Sequence, residues 1–72
     1  MDKIGRTKKD IFNILKNRIV TLEYEPGKIL NEIELSEEFG VSRTPIRTVF
    51  QQLETIKLVE VLFKAVIVSY TG

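Results

Sequence analysis

Two of the most reactive side-chain types are missing from this 72-residue chain, which contains no cysteine and no histidine. Without thiols there are no disulfides and no thiolate metal sites, and without imidazole the most frequent general base and metal ligand is gone. Long hydrophobic runs are missing too. No window of 18 consecutive apolar residues exists, so neither a transmembrane helix nor a membrane partner is expected. The opening Met1-Asp2-Lys3-Ile4-Gly5-Arg6 lacks the apolar core of a secretion signal, which makes a cytoplasmic location the expectation. Catalytic constellations are equally scarce. Glu34, Glu37 and Glu38 belong to one acidic stretch with no companion residues, Tyr24 and Tyr70 stand alone, and there is no glycine loop for phosphate. The expectation is a binding protein, not an enzyme, with no cofactor and no metal.

What is present is one small domain, taken as residues 1–72, near the lower size limit for a self-supporting core. The net charge of +1 conceals a segregated pattern. Residues 1–30 hold seven Lys/Arg against four Asp/Glu, residues 31–41 hold four Glu and no base, and residues 42–53 hold Arg43 and Arg47 with no acid. Segregation of this kind orients a domain on phosphates even when the total is near zero. A merely solvated surface gives the same pattern, so charge alone does not decide. Lys3, Arg6, Lys8 and Lys9 read as a disordered arm over residues 1–7 leading into the first helix, or as extra phosphate contacts.

The spacing of Ile11, Ile14, Leu15, Ile19 and Leu22 by threes and fours predicts a helix over roughly 8–22, capped by Thr7. Glu25-Pro26-Gly27 is a turn, and Lys28-Ile29-Leu30 suffices for one short strand. Asn31 is a good N-cap with Glu34 completing a variant capping box, and Leu35 and Phe39 share a face, predicting a second helix over 32–39. Glu32 and Glu34 suit its positive dipole end. Gly40 supplies the left-handed residue for a sharp turn. Ser42 is expected to cap a third helix, about 43–56, that buries Ile46, Val49, Phe50 and Leu53. Pro45 is tolerated in its first turn but is expected to push Thr44 off helical angles.

Residues 58–70 change character to Val, Ile, Leu and Phe, predicting two strands of about 58–62 and 66–70 with a tip at Phe63-Lys64-Ala65. The order helix, strand, helix, helix, strand, strand is that of a winged helix-turn-helix: mainly α, three helices plus a small antiparallel sheet. Alternate strand residues point to opposite faces, so the apolar residues of 58–70 cannot all join a thin core, and Leu62, Phe63, Ile67 and Tyr70 are the ones a cover would bury. A face covered by another subunit (a second copy of the wing) or by another domain is the leading expectation, an aggregation-prone edge is the alternative, and scattered surface hydrophobics give the same pattern.

The run Val41-Ser42-Arg43-Thr44-Pro45-Ile46-Arg47 carries the functional information. Val41 and Ile46 are expected to point inward, leaving Arg43, Thr44, Arg47, Thr48 and Gln51 outward. Arg donates bidentately to guanine or to phosphate, and Thr bonds phosphate or packs on a thymine methyl. A helical hairpin with idle, solvated arginines has the same spacing.

Pro26-Gly27-x-x-Leu30, Glu34-Leu35-Ser36, and Gly40 through Arg47 followed by Leu53 and Leu58-Val59 closely resemble the DNA-binding domain of GntR-family transcription regulators over roughly residues 8–68. The Ser-Arg-Thr-Pro-aliphatic-Arg form resembles the fatty-acid-regulator-like branch. The resemblance implies a bacterial regulator, with a repressor as the working expectation although these residues do not set the direction of regulation. It implies a double-stranded DNA operator contacted by Ser42, Arg43, Thr44 and Arg47, and a homodimer. It also implies a small-molecule effector acting only through a C-terminal domain that would begin where Tyr70-Thr71-Gly72 stands. Three departures matter. Ile33 stands where some relatives place Arg, Lys57 stands where Gly is usual before the wing, and Lys64-Ala65 replaces a basic residue followed by Gly at the tip. Lys64 remains a candidate phosphate contact. The alternative function is a winged-helix protein-interaction module using the apolar wing 58–70.

Overall fold

Each helix of the computed structural model, which describes residues 7–63 and 65–72, begins at a residue suited to capping. Helix α1 (Lys8–Val20) starts at Thr7, whose hydroxyl accepts from the Asp10 amide at 3.1 Å while the Asp10 carboxylate accepts from the Thr7 amide at 3.4 Å. That reciprocal pair is a capping box. The other expected arm residues, 1–6, lie outside the described residues. Helix α2 (Glu32–Phe39) starts at Asn31, whose side-chain oxygen accepts from the Ile33 and Glu34 amides at 2.8 and 3.0 Å. Helix α3 (Arg43–Thr55) follows after Gly40, Val41 and Ser42.

Helix ends are set by left-handed residues. Gly40 has φ +67°; the Gly40 amide reaches the Glu37 carbonyl at 3.3 Å and the Val41 amide reaches Ser36 at 3.0 Å. This is the Schellman closure, and it folds α3 back across α2. The same bonds recur after α3, with Lys57 to Glu54 at 2.9 Å and Leu58 to Leu53 at 3.0 Å, and Lys57 has φ +68°. Leu22, at φ +66°, ends α1 two residues earlier than its apolar spacing predicts and is 46% exposed. The apolar stripe thus overran the helix, because spacing carries no information about a left-handed stop.

The sheet comprises β1 (Ile29–Leu30), β2 (Val59–Leu62) and β3 (Ala65–Val68) in the order β1-β3-β2, all antiparallel. Leu30 faces Val66, Ile29 faces Ile67, and Val59 faces Val68. Residues Leu30, Val59, Val66 and Val68 bury one face against Ile11, Leu15, Ile19, Leu35, Phe39, Ile46, Val49, Phe50, Leu53 and Leu58. Val61 and Tyr70 pack on the core edge and Ile67 is half-buried. Of the wing residues expected to need a cover, only Leu62 and Phe63 are left largely exposed. The strands are shifted and shortened relative to 58–62 and 66–70. Leu58 instead accepts the Ser69 and Tyr70 amides, holding the end of the hairpin shut.

Arg18 ties α1 to α2. Its guanidinium donates to the Tyr24 hydroxyl at 2.7 Å, forms a fork with the Glu38 carboxylate, and lies 5.7 Å from the Phe39 ring centre. The Glu38 bonds, partly offset by burial, raise the already high Arg18 pKa further.

Candidate nucleic-acid interface

Helix α3 turns Ile46, Val49, Phe50 and Leu53 into the core, all at most 4% exposed. A stripe that narrow leaves the opposite side of the helix to solvent. Arg43, Thr44, Arg47 and Gln51 are exposed there, and Thr48 is half-buried. The Thr48 hydroxyl donates to the Thr44 carbonyl at 3.2 Å, so it is occupied within its own helix.

The start of α3 differs from the expected cap. Ser42 has extended N-cap angles (φ −72°, ψ 175°), yet its side chain makes no capping hydrogen bond. Pro45 contributes: it occupies the third helical position and removes one of the two amides that a capping hydroxyl can use. Thr44 is helical, contrary to the expected irregular start. The restriction on a residue preceding proline is a bias, and here the packing of α3 outweighs it. The result is an uncapped helix start at the positive dipole pole, with Ser42, Arg43 and Thr44 exposed.

Arg47 is the anchored member of the surface. Its Nε donates to Glu32 Oε2 at 2.9 Å and Oε1 at 3.2 Å, and Nη2 donates to Oε1 at 3.0 Å. This fork holds the Glu32 carboxyl below its ordinary pKa; the charges of Arg47 and Arg43 add to the effect and desolvation opposes it. Among the described residues, no ion pair engages Arg43. From the sequence Glu32 reads only as a helix-dipole residue, and its contact with Arg47 is not visible there. The signal, an acid opening one helix and a base in the second turn of the next, becomes a contact only through the turn at Gly40.

Between α3 and the wing lies an open groove lined by Ile29, Asn31, Glu32, Ile33, Arg43, Arg47, Gln51, Val61 and Phe63. Phe63 is 96% exposed at φ +52°. Lys64, the expected phosphate contact at the tip, lies outside the described residues. Behind the groove, Glu54 Oε2 accepts the Val61 amide at 3.2 Å and fixes edge strand β2 to α3. No group of three or more potential metal ligands clusters among the described residues, and no described helix is long and apolar enough to cross a membrane.

Two helices joined by a sharp turn, with a three-stranded sheet beside the second, define a winged helix-turn-helix of the DNA-binding type. Residues 7–65 match the family of bacterial regulatory proteins named gntR, and the chain belongs to that GntR family of transcription regulators. An HTH-type transcriptional regulator in an unstable DNA locus of Streptomyces ambofaciens is 44% identical over 61 residues, covering 83% of this chain and 26% of that protein. The HTH-type regulator YieP of Escherichia coli is 58% identical over 40 residues, covering 54% and 17%. The Uxu operon regulator of Haemophilus influenzae is 46% identical over 59 residues, covering 81% and 22%. The chain therefore spans about a quarter or less of the length of these relatives. Among solved structures, Lar, which controls expression of the Listeria monocytogenes agr system, is similar with a TM-score of 0.79 and 28% identity, over 96% of this chain and 33% of that one. YtrA from Sulfolobus acidocaldarius, a GntR-family transcription factor, also gives 0.79, over 90% of this chain and 70% of that one; at 21% identity it supports the fold alone. These relatives are named as transcription regulators, which supports a DNA-binding regulatory function for this chain and does not support an interaction module working through the wing.

Proposed function

We propose that the domain reads a double-stranded DNA operator by placing α3 in the major groove. The observation that carries this reading is the start of α3. An uncapped Ser42 side chain stands beside exposed Arg43 and Arg47 in the first turns of a helix whose residues 43–53 carry no acid. Ser42 and Thr44 bond phosphate at the helix terminus, while Arg43 and Arg47 reach base edges or the flanking backbone. Gln51 extends the readout by one turn, and Thr48 contributes its methyl more than its committed hydroxyl.

The same reading extends to the whole regulator. It works in the bacterial cytoplasm as a homodimer on a palindromic site, because one domain offers few phosphate contacts and two-fold pairing doubles them. Any small-molecule effector acts through a further domain. The Ser42–Arg47 run favours the fatty-acid-regulator-like branch.

The test is a titration of a fluorescent random-sequence duplex pool across salt concentrations. Binding that weakens steeply, with a log–log slope proportional to the phosphates neutralised, supports the reading. Absence of binding at low salt, or binding indifferent to salt, contradicts it.

A further inference from the structure

This inference rests on the DNA-reading role above and concerns how Arg47 is aimed. A guanidinium has two usable edges, a side edge formed by Nε and Nη2 and an end edge formed by Nη1 and Nη2. In this protein the side edge is consumed by Glu32, through three contacts of 2.9 to 3.2 Å. The two partners are unequally covered: the Glu32 side chain is 28% exposed, against 61% for Arg47. The carboxylate is therefore the more sheltered partner, and the Nη1 end of the guanidinium makes no hydrogen bond among the described residues. Two parallel N–H donors in a fixed plane match the O6 and N7 acceptors of a guanine.

The charge of Glu32 argues in the same direction. A carboxylate on a surface that meets phosphates weakens general attraction to DNA, because it lies well within a screening length of the backbone. Its location makes sense if it gives selectivity in exchange. An unrestrained arginine bonds any phosphate within reach, whereas one held along its side edge has a single fork to offer in a single direction. We infer that Glu32 is a positioning residue that fixes Arg47 as a guanine reader, lowering general affinity for DNA while raising discrimination.

The experiment is selection from a randomised duplex pool by the protein and by Arg47→Ala, Glu32→Ala and Glu32→Gln, with circular dichroism on each. Each protein is also titrated against one fixed scrambled duplex. Selection by the unaltered protein yields a guanine column that Arg47→Ala abolishes. Glu32→Ala reduces the guanine preference in that column about ten-fold, within the range of one bidentate contact, while its affinity for the scrambled duplex is equal or tighter. Glu32→Gln, which keeps a carbonyl acceptor for Arg47, falls between the two.

Undiminished guanine preference in Glu32→Ala overturns the positioning role and leaves DNA reading intact. So does a parallel loss of preference and scrambled-duplex affinity in both Glu32 variants, which marks Glu32 as merely structural. Selection of no sequence by the unaltered protein overturns the DNA-reading role itself, and the inference falls with it.

Discussion

Glu32 opens α2 and Arg47 lies in the second turn of α3, fifteen residues apart in sequence, yet their side chains are joined by a two-pronged ion pair. The pair spans the turn of the helix-turn-helix, so its protonation is coupled to the geometry of the groove between α3 and the wing. The fork from Arg47 lowers the Glu32 pKa below its ordinary 4.5. A carboxyl with a depressed folded pKa contributes its stabilisation fully above the unfolded value and loses it as pH falls through the folded value. The pair should therefore persist unchanged from neutral pH down to the ordinary carboxylate range and dissolve only below it. Carboxyl-carbon NMR of Glu32 should titrate with a midpoint below 4.5 that returns toward that value in Arg47→Ala. A Glu32 midpoint at or above 4.5 in the unaltered protein would contradict the pairing.

Lys57 occupies a position shaped for glycine. It sits at φ +68° in the closure that ends α3, and a side chain in the left-handed region costs about 1–2 kcal/mol. Glycine removes that cost but adds backbone freedom to the unfolded chain worth about 0.5–1 kcal/mol. Lys57→Gly should therefore leave stability unchanged or raise it by up to about 1.5 kcal/mol. Urea unfolding checks this, and a clear loss of stability would contradict the strained assignment.

Arg18 joins Tyr24, Glu38 and the Phe39 ring through one planar group. Lysine keeps the charge but has neither the fork nor the flat face. Arg18→Lys should cost about 1 kcal/mol after allowing for the solvent around Glu38. Thermal unfolding at matched pH measures it, and an unchanged midpoint would show that the hub contributes nothing beyond its charge.

Leu53 is fully buried where α3 meets the core. Truncation of such a side chain to alanine costs about 2–5 kcal/mol. A domain this small has roughly 4–11 kcal/mol in total, at 0.05–0.15 kcal/mol per residue. Leu53→Ala should therefore leave a visibly unfolded fraction at 37 °C by circular dichroism. Near-native stability would mean that the core of α3 is assigned wrongly.

The helices and their starts were legible because capping and apolar spacing are local. Thr7, Asn31 and Gly40 each act within four residues of where they stand. Stops were less legible, since Leu22 and Lys57 adopt left-handed angles that only glycine advertises. Ser42 is legible as the N-cap position, whereas the absence of a capping bond from its side chain is not, although Pro45 three residues on removes one candidate amide. The outward face of α3 followed from its buried stripe. The Glu32–Arg47 and Arg18–Glu38 contacts did not, because they depend on how three helices cross. Strand alternation shows that the wing has two apolar faces, but not that Ile67 and Tyr70 are half-buried while Leu62 and Phe63 stay exposed. Pairing of β1 on the far side of β3 brings Leu30 into the covered face beside Val66 and leaves Ile29 beside Ile67 on the other.

Whether α3 meets DNA with the face assigned to it is most directly tested by amide NMR of the labelled domain as a duplex bearing its selected sequence is added. The account predicts the largest shifts at Ser42, Arg43, Thr44, Arg47 and Gln51, with the exposed surface of α1 around Asn13 and Lys16 little changed. Shifts concentrated on α1 or on Leu62 and Phe63, with the start of α3 unmoved, would contradict it.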